Sequence, residues 1–90
     1  MSIEIKEQEY PKWFKGERYA EGATVENRFS GEKYELNRIE LSIYDFIIGS
    51  SLALEMGIFK GESSHVVKEM HDGLDWFRKN NLKAYMVLLD

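Results

Sequence analysis

Polar and apolar positions change rhythm at Leu36: before it glycines and aromatics alternate with charges, and after it apolar residues recur at helical spacing. Residues 23–29 alternate, with Val25 and Phe29 on one side and Thr24, Glu26 and Arg28 on the other. Ser30-Gly31 supplies a turn, because glycine takes positive φ without steric cost, and Tyr34 and Leu36 resume the alternation. The pattern predicts a β-hairpin over 23–36. Residues 1–22 have no comparable period. Ile3–Lys6 alternates like a short edge strand, and Pro11 and Gly16 bracket the ring pair Trp13-Phe14. An extended arm that lays these rings onto the helices is the expectation.

The first helix has the best-marked start in the chain. Asn37 is placed to cap it, Glu40 three residues on completes a capping box, and Leu36 and Leu41 stand at the positions of a hydrophobic staple. Ile39, Ile43, Phe46, Ile47 and Leu54 form one stripe; Leu41, Tyr44, Ile48 and Leu52 form a second. A helix apolar on two sides is a central element, covered by the hairpin and another helix or by a second copy of the protein. Gly49-Ser50-Ser51 narrows its middle, for a close helix crossing or a kink, and Gly57 is its stop.

A second helix follows, capped by Ser63 or Ser64 and running to about Asn80, with Val66, Val67, Met70, Leu74 and Phe77 as its buried stripe. Gly73 inside it costs about 1 kcal/mol relative to alanine, which implies close packing there. Asn81 is placed to cap a short terminal helix with Leu82, Tyr85, Met86 and Leu89 on one side; a strand over Tyr85–Leu89 is the alternative that so short an apolar run leaves open. The fold class that results is α+β. An arm (1–22) and a β-hairpin (23–36) pack on a helical part (37–90) of two longer helices and a short C-terminal one, within a single domain.

Cysteine is absent, which removes disulfides, thiolate nucleophiles and zinc–thiolate sites together. The longest apolar runs, such as Tyr85–Leu89, fall far short of the ~20 residues that span a bilayer, and acidic Glu4 stands where a signal peptide would be basic. A cytosolic protein without membrane contact is expected. The net charge of −4 is evenly spread: residues 1–36 and 37–90 each carry six basic and eight acidic side chains. No basic face follows, so nucleic acid is not an expected partner.

Three strings are distinctive together: Asn27-Arg28-Phe29-Ser30-Gly31-Glu32; Tyr44-Asp45-Phe46-Ile47 with Gly49; and Gly73–Lys79 running into Ala84–Asp90. In these the chain, from about Tyr10 onward, resembles small uncharacterised proteins of marine tailed bacteriophages, cyanophages among them. Such sequences often carry proline where this one has Arg28 and Leu82, a departure that bears on the stiffness of the hairpin and of the last turn. The resemblance implies a viral gene expressed in a bacterial host, hence the host cytoplasm. It implies no activity and no site residue.

Candidate chemistry is sparse. His65, Glu69 and Asp72 share one helical face, and an imidazole with two carboxylates suits zinc or manganese. One helix seldom supplies a whole site, so a solvated polar face is the better reading and no metal or other cofactor is expected. The serines at 50, 51, 63 and 64 lack a histidine placed as a base, and phosphate-binding glycine loops are absent. The cations Lys12, Lys15 and Arg18 among the rings of Tyr10, Trp13, Phe14 and Tyr19 are cancelled by flanking glutamates. Trp76 lies outside its helix's main stripe, where it either receives the arm or serves as a docking anchor.

The sequence thus predicts a non-enzymatic interaction protein that forms a homodimer, binds a bacterial host protein, or both. Its candidate contact residues are Trp76, Trp13, Phe14, Tyr44 and Ile48. A nucleic-acid-linked transcriptional regulator is the second reading, and a metal-dependent enzyme on His65, Glu69 and Asp72 a minor third.

Overall fold

The computed structural model describes residues 7–57 and 64–90. Among these it contains two strands, β1 (Ala23–Glu26) and β2 (Lys33–Leu36), and helices α1 (Arg38–Glu55), α2 (Ser64–Asn80) and α3 (Leu82–Ala84). Helix α3 runs directly into a π-helical turn, Tyr85–Leu89. The fold is α+β. The strand-like stretch Ile3–Lys6 and the serine cap at Ser63 lie outside the described residues.

The strands pair antiparallel with Val25 opposite Tyr34 and Ala23 opposite Leu36. That register turns Val25, Tyr34 and Leu36 to the core, with Thr24 and Glu35 facing out. Strand β1 stops at Glu26, earlier than the alternation indicates. The cause is Asn27, whose Oδ1 accepts from the Phe29 amide (2.8 Å) and the Ser30 amide (3.2 Å) and folds the chain into a loop. Gly31 closes that loop at φ 78°. Phe29 therefore does not share a sheet face with Val25 but stands 89% exposed at the loop's tip.

Asn37 caps α1 as its spacing indicates: its side chain accepts from the Glu40 amide at 2.8 Å, while the Glu40 carboxylate accepts from the Asn37 amide at 3.0 Å. The helix ends at Gly57, φ 69°. Its stripe of Ile39, Ile43 and Ile47 is buried together with Phe14, Leu36, Phe77, Ala84 and Leu88. Helix α2 crosses this stripe at Gly73, where a Cβ would come within 2.8 Å of Ile47 Cγ1. The close crossing is thus at Gly73 and not at Gly49, which is solvent-exposed with nothing within 4 Å of its Cβ position among the described residues.

Residues 7–22 form an irregular arm along α1. Ser42, 1% exposed, holds it: Ser42 Oγ donates to the Arg38 carbonyl (2.7 Å) and accepts from the Tyr19 amide (3.0 Å). The serine proton is spent on Arg38, so the Tyr10 hydroxyl at 2.9 Å is the donor in the third contact. The arm's rings follow. Phe14 stacks on Tyr10 with centroids 5.4 Å apart and meets Phe46 edge-on at 5.7 Å.

The last eight residues before Asp90 are helical, which removes the strand alternative, but the buried face differs from the expected one. Ala84 and Leu88 are inside and Tyr85 and Leu89 pack against the core as expected, whereas Leu82 and Met86 are 55% and 60% exposed. The segment closes on a π-helical turn, in which the Asp90 amide reaches back to the Tyr85 carbonyl at 2.9 Å. An alanine on the inner face leaves no stripe to read.

Candidate functional site

Two hydrogen-bonded centres decide which side chains reach the surface. The first surrounds Glu40, only 4% exposed. Its Oε2 accepts from Gln8 Nε2 at 3.0 Å and Asn81 Nδ2 at 2.7 Å, and Gln8 Oε1 in turn accepts from Asn37 Nδ2 at 2.7 Å. Asn81 Oδ1 caps α3 through the Ala84 amide at 3.2 Å. One carboxylate thereby joins the arm, the start of α1 and the start of α3, and no buried polar side-chain atom among the described residues is left unpaired. The second centre is Asn27, whose Nδ2 donates to the Val87 carbonyl at 2.8 Å. This fixes the hairpin loop to the end of the chain.

The five candidate contact residues separate into three groups. Phe14 is 3% exposed and belongs to the core, so it is not a contact residue; the aromatic stretch around it hid which ring would turn inward. Trp13 and Trp76 are half-buried and line one open concavity of about 390 Å³ with Lys68, Asp72 and Lys79. Trp76 also meets Phe77 edge-on at 5.2 Å, and it packs on the core while keeping one side open. Tyr44 and Ile48 lie on another side of the molecule, in a groove of about 300 Å³ between α1 and the hairpin loop. Leu88 forms part of that groove, and Arg28, Phe29 and Glu55 border it.

The groove carries the better-defined surface. Phe29 is held out by a loop that is closed by the Asn27 amide on the Glu32 carbonyl (2.8 Å) and fastened to Val87. Arg28 Cζ lies 5.6 Å from the Phe29 ring centroid. Burial raises the Tyr44 phenol above its ordinary value of 10.0, with Arg28 pulling the other way and Asp45 adding to the rise. Tyr19 is raised too, chiefly because its hydroxyl donates to Asp45 Oδ2 at 2.7 Å. Sequence reading missed Phe29 because the alternation placed it inside. The signal that could have found it is Asn27 followed by Ser30-Gly31, a loop signature that ends the strand early.

The face of His65, Glu69 and Asp72 has a different occupant: Asp72 pairs with Lys68 across 2.9 Å, and His65 is exposed. No group of three potential metal-ligating side chains converges among the described residues. No described helix is long and apolar enough to cross a membrane. Comparison with known proteins finds no matching family model, no matching curated protein and no matching solved structure.

Proposed function

We propose that this chain is a non-enzymatic accessory protein that works by binding other proteins, as a homodimer, on a protein of a bacterial host, or both. The observation that carries this reading is Phe29, an 89% exposed ring on a hydrogen-bonded loop beside a groove containing Tyr44 and Ile48. A large apolar ring on a loop whose backbone is fixed before binding leaves only its own two side-chain torsions to order on docking, which favours it as an aromatic anchor. The resemblance of the strings around Asn27, Tyr44 and Gly73 to small bacteriophage proteins supports a phage setting and the host cytoplasm, and a cysteine-free chain suits that reducing compartment.

The test is retention of bacterial lysate proteins on the immobilised chain, run beside a measurement of self-association. Phe29→Ala is expected to abolish retention or self-association, and Trp76→Ala to leave both in place. A wild-type chain that neither self-associates nor retains any protein rules the reading out.

A further inference from the structure

The outer face of α1 continues the groove. Ile48, Leu52 and Met56 follow at four-residue steps, and Leu52 and Met56 are 38% and 74% exposed. Gly49 lies one turn before Leu52 on that face, with open space where a Cβ would be. The groove is bordered by one cation and one anion, Arg28 and Glu55, and the Arg28 charge acts on Tyr44. Arg28 stands beside Tyr44, five residues before Gly49, and Glu55 lies six residues after it. Tyr44 and Glu55 are thus separated by ~16 Å of helix. Neither Arg28 nor Glu55 is in an ion pair among the described residues, while Asp45, also on this side, is bonded by the Tyr19 hydroxyl.

We propose that a second copy of the chain covers this face, its α1 lying antiparallel across the first with the crossing at Gly49. A two-fold axis brings a residue before the crossing opposite one an equal distance after it in the other copy. Arg28 of each copy then meets Glu55 of the other, twice over, and the exposed ring of Phe29 covers the exposed Met56 thioether. Gly49 lets the two backbones approach and leaves room for Leu52 of the other copy. The same charges oppose a parallel arrangement, which would set Arg28 against Arg28 and Glu55 against Glu55.

This inference deepens the interaction reading by naming the partner, and one set of variants tests it. Sedimentation of the full chain over a concentration series is expected to show a monomer–dimer equilibrium. Gly49→Leu is expected to give folded monomers with the helix content of the wild type, since leucine favours the helix and its Cβ meets nothing in the single chain among the described residues. Arg28→Glu and Glu55→Arg are each expected to weaken dimerisation about tenfold or more, and the two together to restore it to within about threefold of the wild type. A wild-type chain that stays monomeric overturns the proposal. So does a Gly49→Leu chain that dimerises unchanged, or a double reversal as weak as either single one. A monomeric wild type that still retains a lysate protein through Phe29 leaves the broader reading intact, whereas one that retains nothing removes both.

Discussion

Asn81 donates its side-chain amide to Glu40 across 2.7 Å, so the residue that caps α3 is bonded to the residue that completes the cap of α1. Both helix starts are set by one buried carboxylate, which also holds Gln8 of the arm. Glu40→Ala strands the Asn37 amide and two carboxamides at once. It is expected to cost about 2–4 kcal/mol in urea denaturation. Asn81→Ala alone is expected to cost about 1–2 kcal/mol through the lost cap. The double variant should cost clearly less than the sum, which a double-mutant cycle measures.

The glycines provide a second check, because three of them meet different surroundings. Gly49→Ala is expected to stabilise the single chain by about 0.5–1 kcal/mol when unfolding is followed at a concentration too low for self-association, as a helix position exposed in the single chain gains propensity without a clash. Gly73→Ala is expected to destabilise by about 1–3 kcal/mol, because the new methyl meets Ile47 Cγ1 at 2.8 Å inside a packed crossing. Gly22→Ala is expected to be at least as costly although Gly22 is exposed: a Cβ there would come within 2.0 Å of the Leu36 carbonyl oxygen, and backbone yields less than a side chain.

Ser42→Ala leaves the Tyr10 hydroxyl and the Tyr19 amide without their partner. The expected loss is about 1–3 kcal/mol, accompanied by faster protease cleavage within residues 7–22. Phe14→Ala should cost more, about 3–5 kcal/mol, since it empties a core position. A Ser42→Ala chain that loses no stability and is cleaved no faster would argue that the rings, and not the serine, hold the arm.

Two tyrosines carry a pH signature. Tyr19 and Tyr44 are both raised from 10.0, Tyr19 first by its bond to Asp45 and Tyr44 first by burial. A raised phenol favours the protonated form in the folded chain, so the stabilisation is complete below the unfolded value and is lost as pH climbs through the folded one. In a near-ultraviolet absorbance titration both should ionise later than the ordinary phenol. Asp45→Asn should bring Tyr19 down and leave Tyr44 nearly in place, because burial dominates the Tyr44 rise. Ionisation of Tyr19 unchanged by that substitution would contradict the Asp45 assignment.

Much of the architecture is legible from local rules. The Asn37–Glu40 pair announces the start of α1, Gly57 its end, and Gly73 the crossing with α2, each through chemistry confined to a few neighbouring residues. What escaped is what depends on distant partners. Glu40 reads as a capping residue and nothing in its surroundings reveals Asn81 or Gln8; Ser42 reads as a neutral helix position. Periodicity misled in two places, at Phe29, where an asparagine side chain ended the strand early, and at Leu82 and Met86, where the inner face is centred on Ala84 and Leu88 and an alanine gives no apolar stripe to read. Of the candidate surface, Tyr44 and Ile48 were visible in the second stripe, whereas the neighbouring ring of Phe29 was not.

The bond from Asn27 to the Val87 carbonyl spans 60 residues of chain, and those of Glu40 to Gln8 and Asn81 span 32 and 41. Such long closures cost entropy before they return any energy, so the hairpin and the separate helices can form early but their assembly waits until Glu40 meets Gln8 and Asn81, and Asn27 meets Val87. Val87 must therefore be in place before the Phe29 loop acquires its fastening. Until then the ring rides on a loop held by its local bonds alone, those to Asn27 among them.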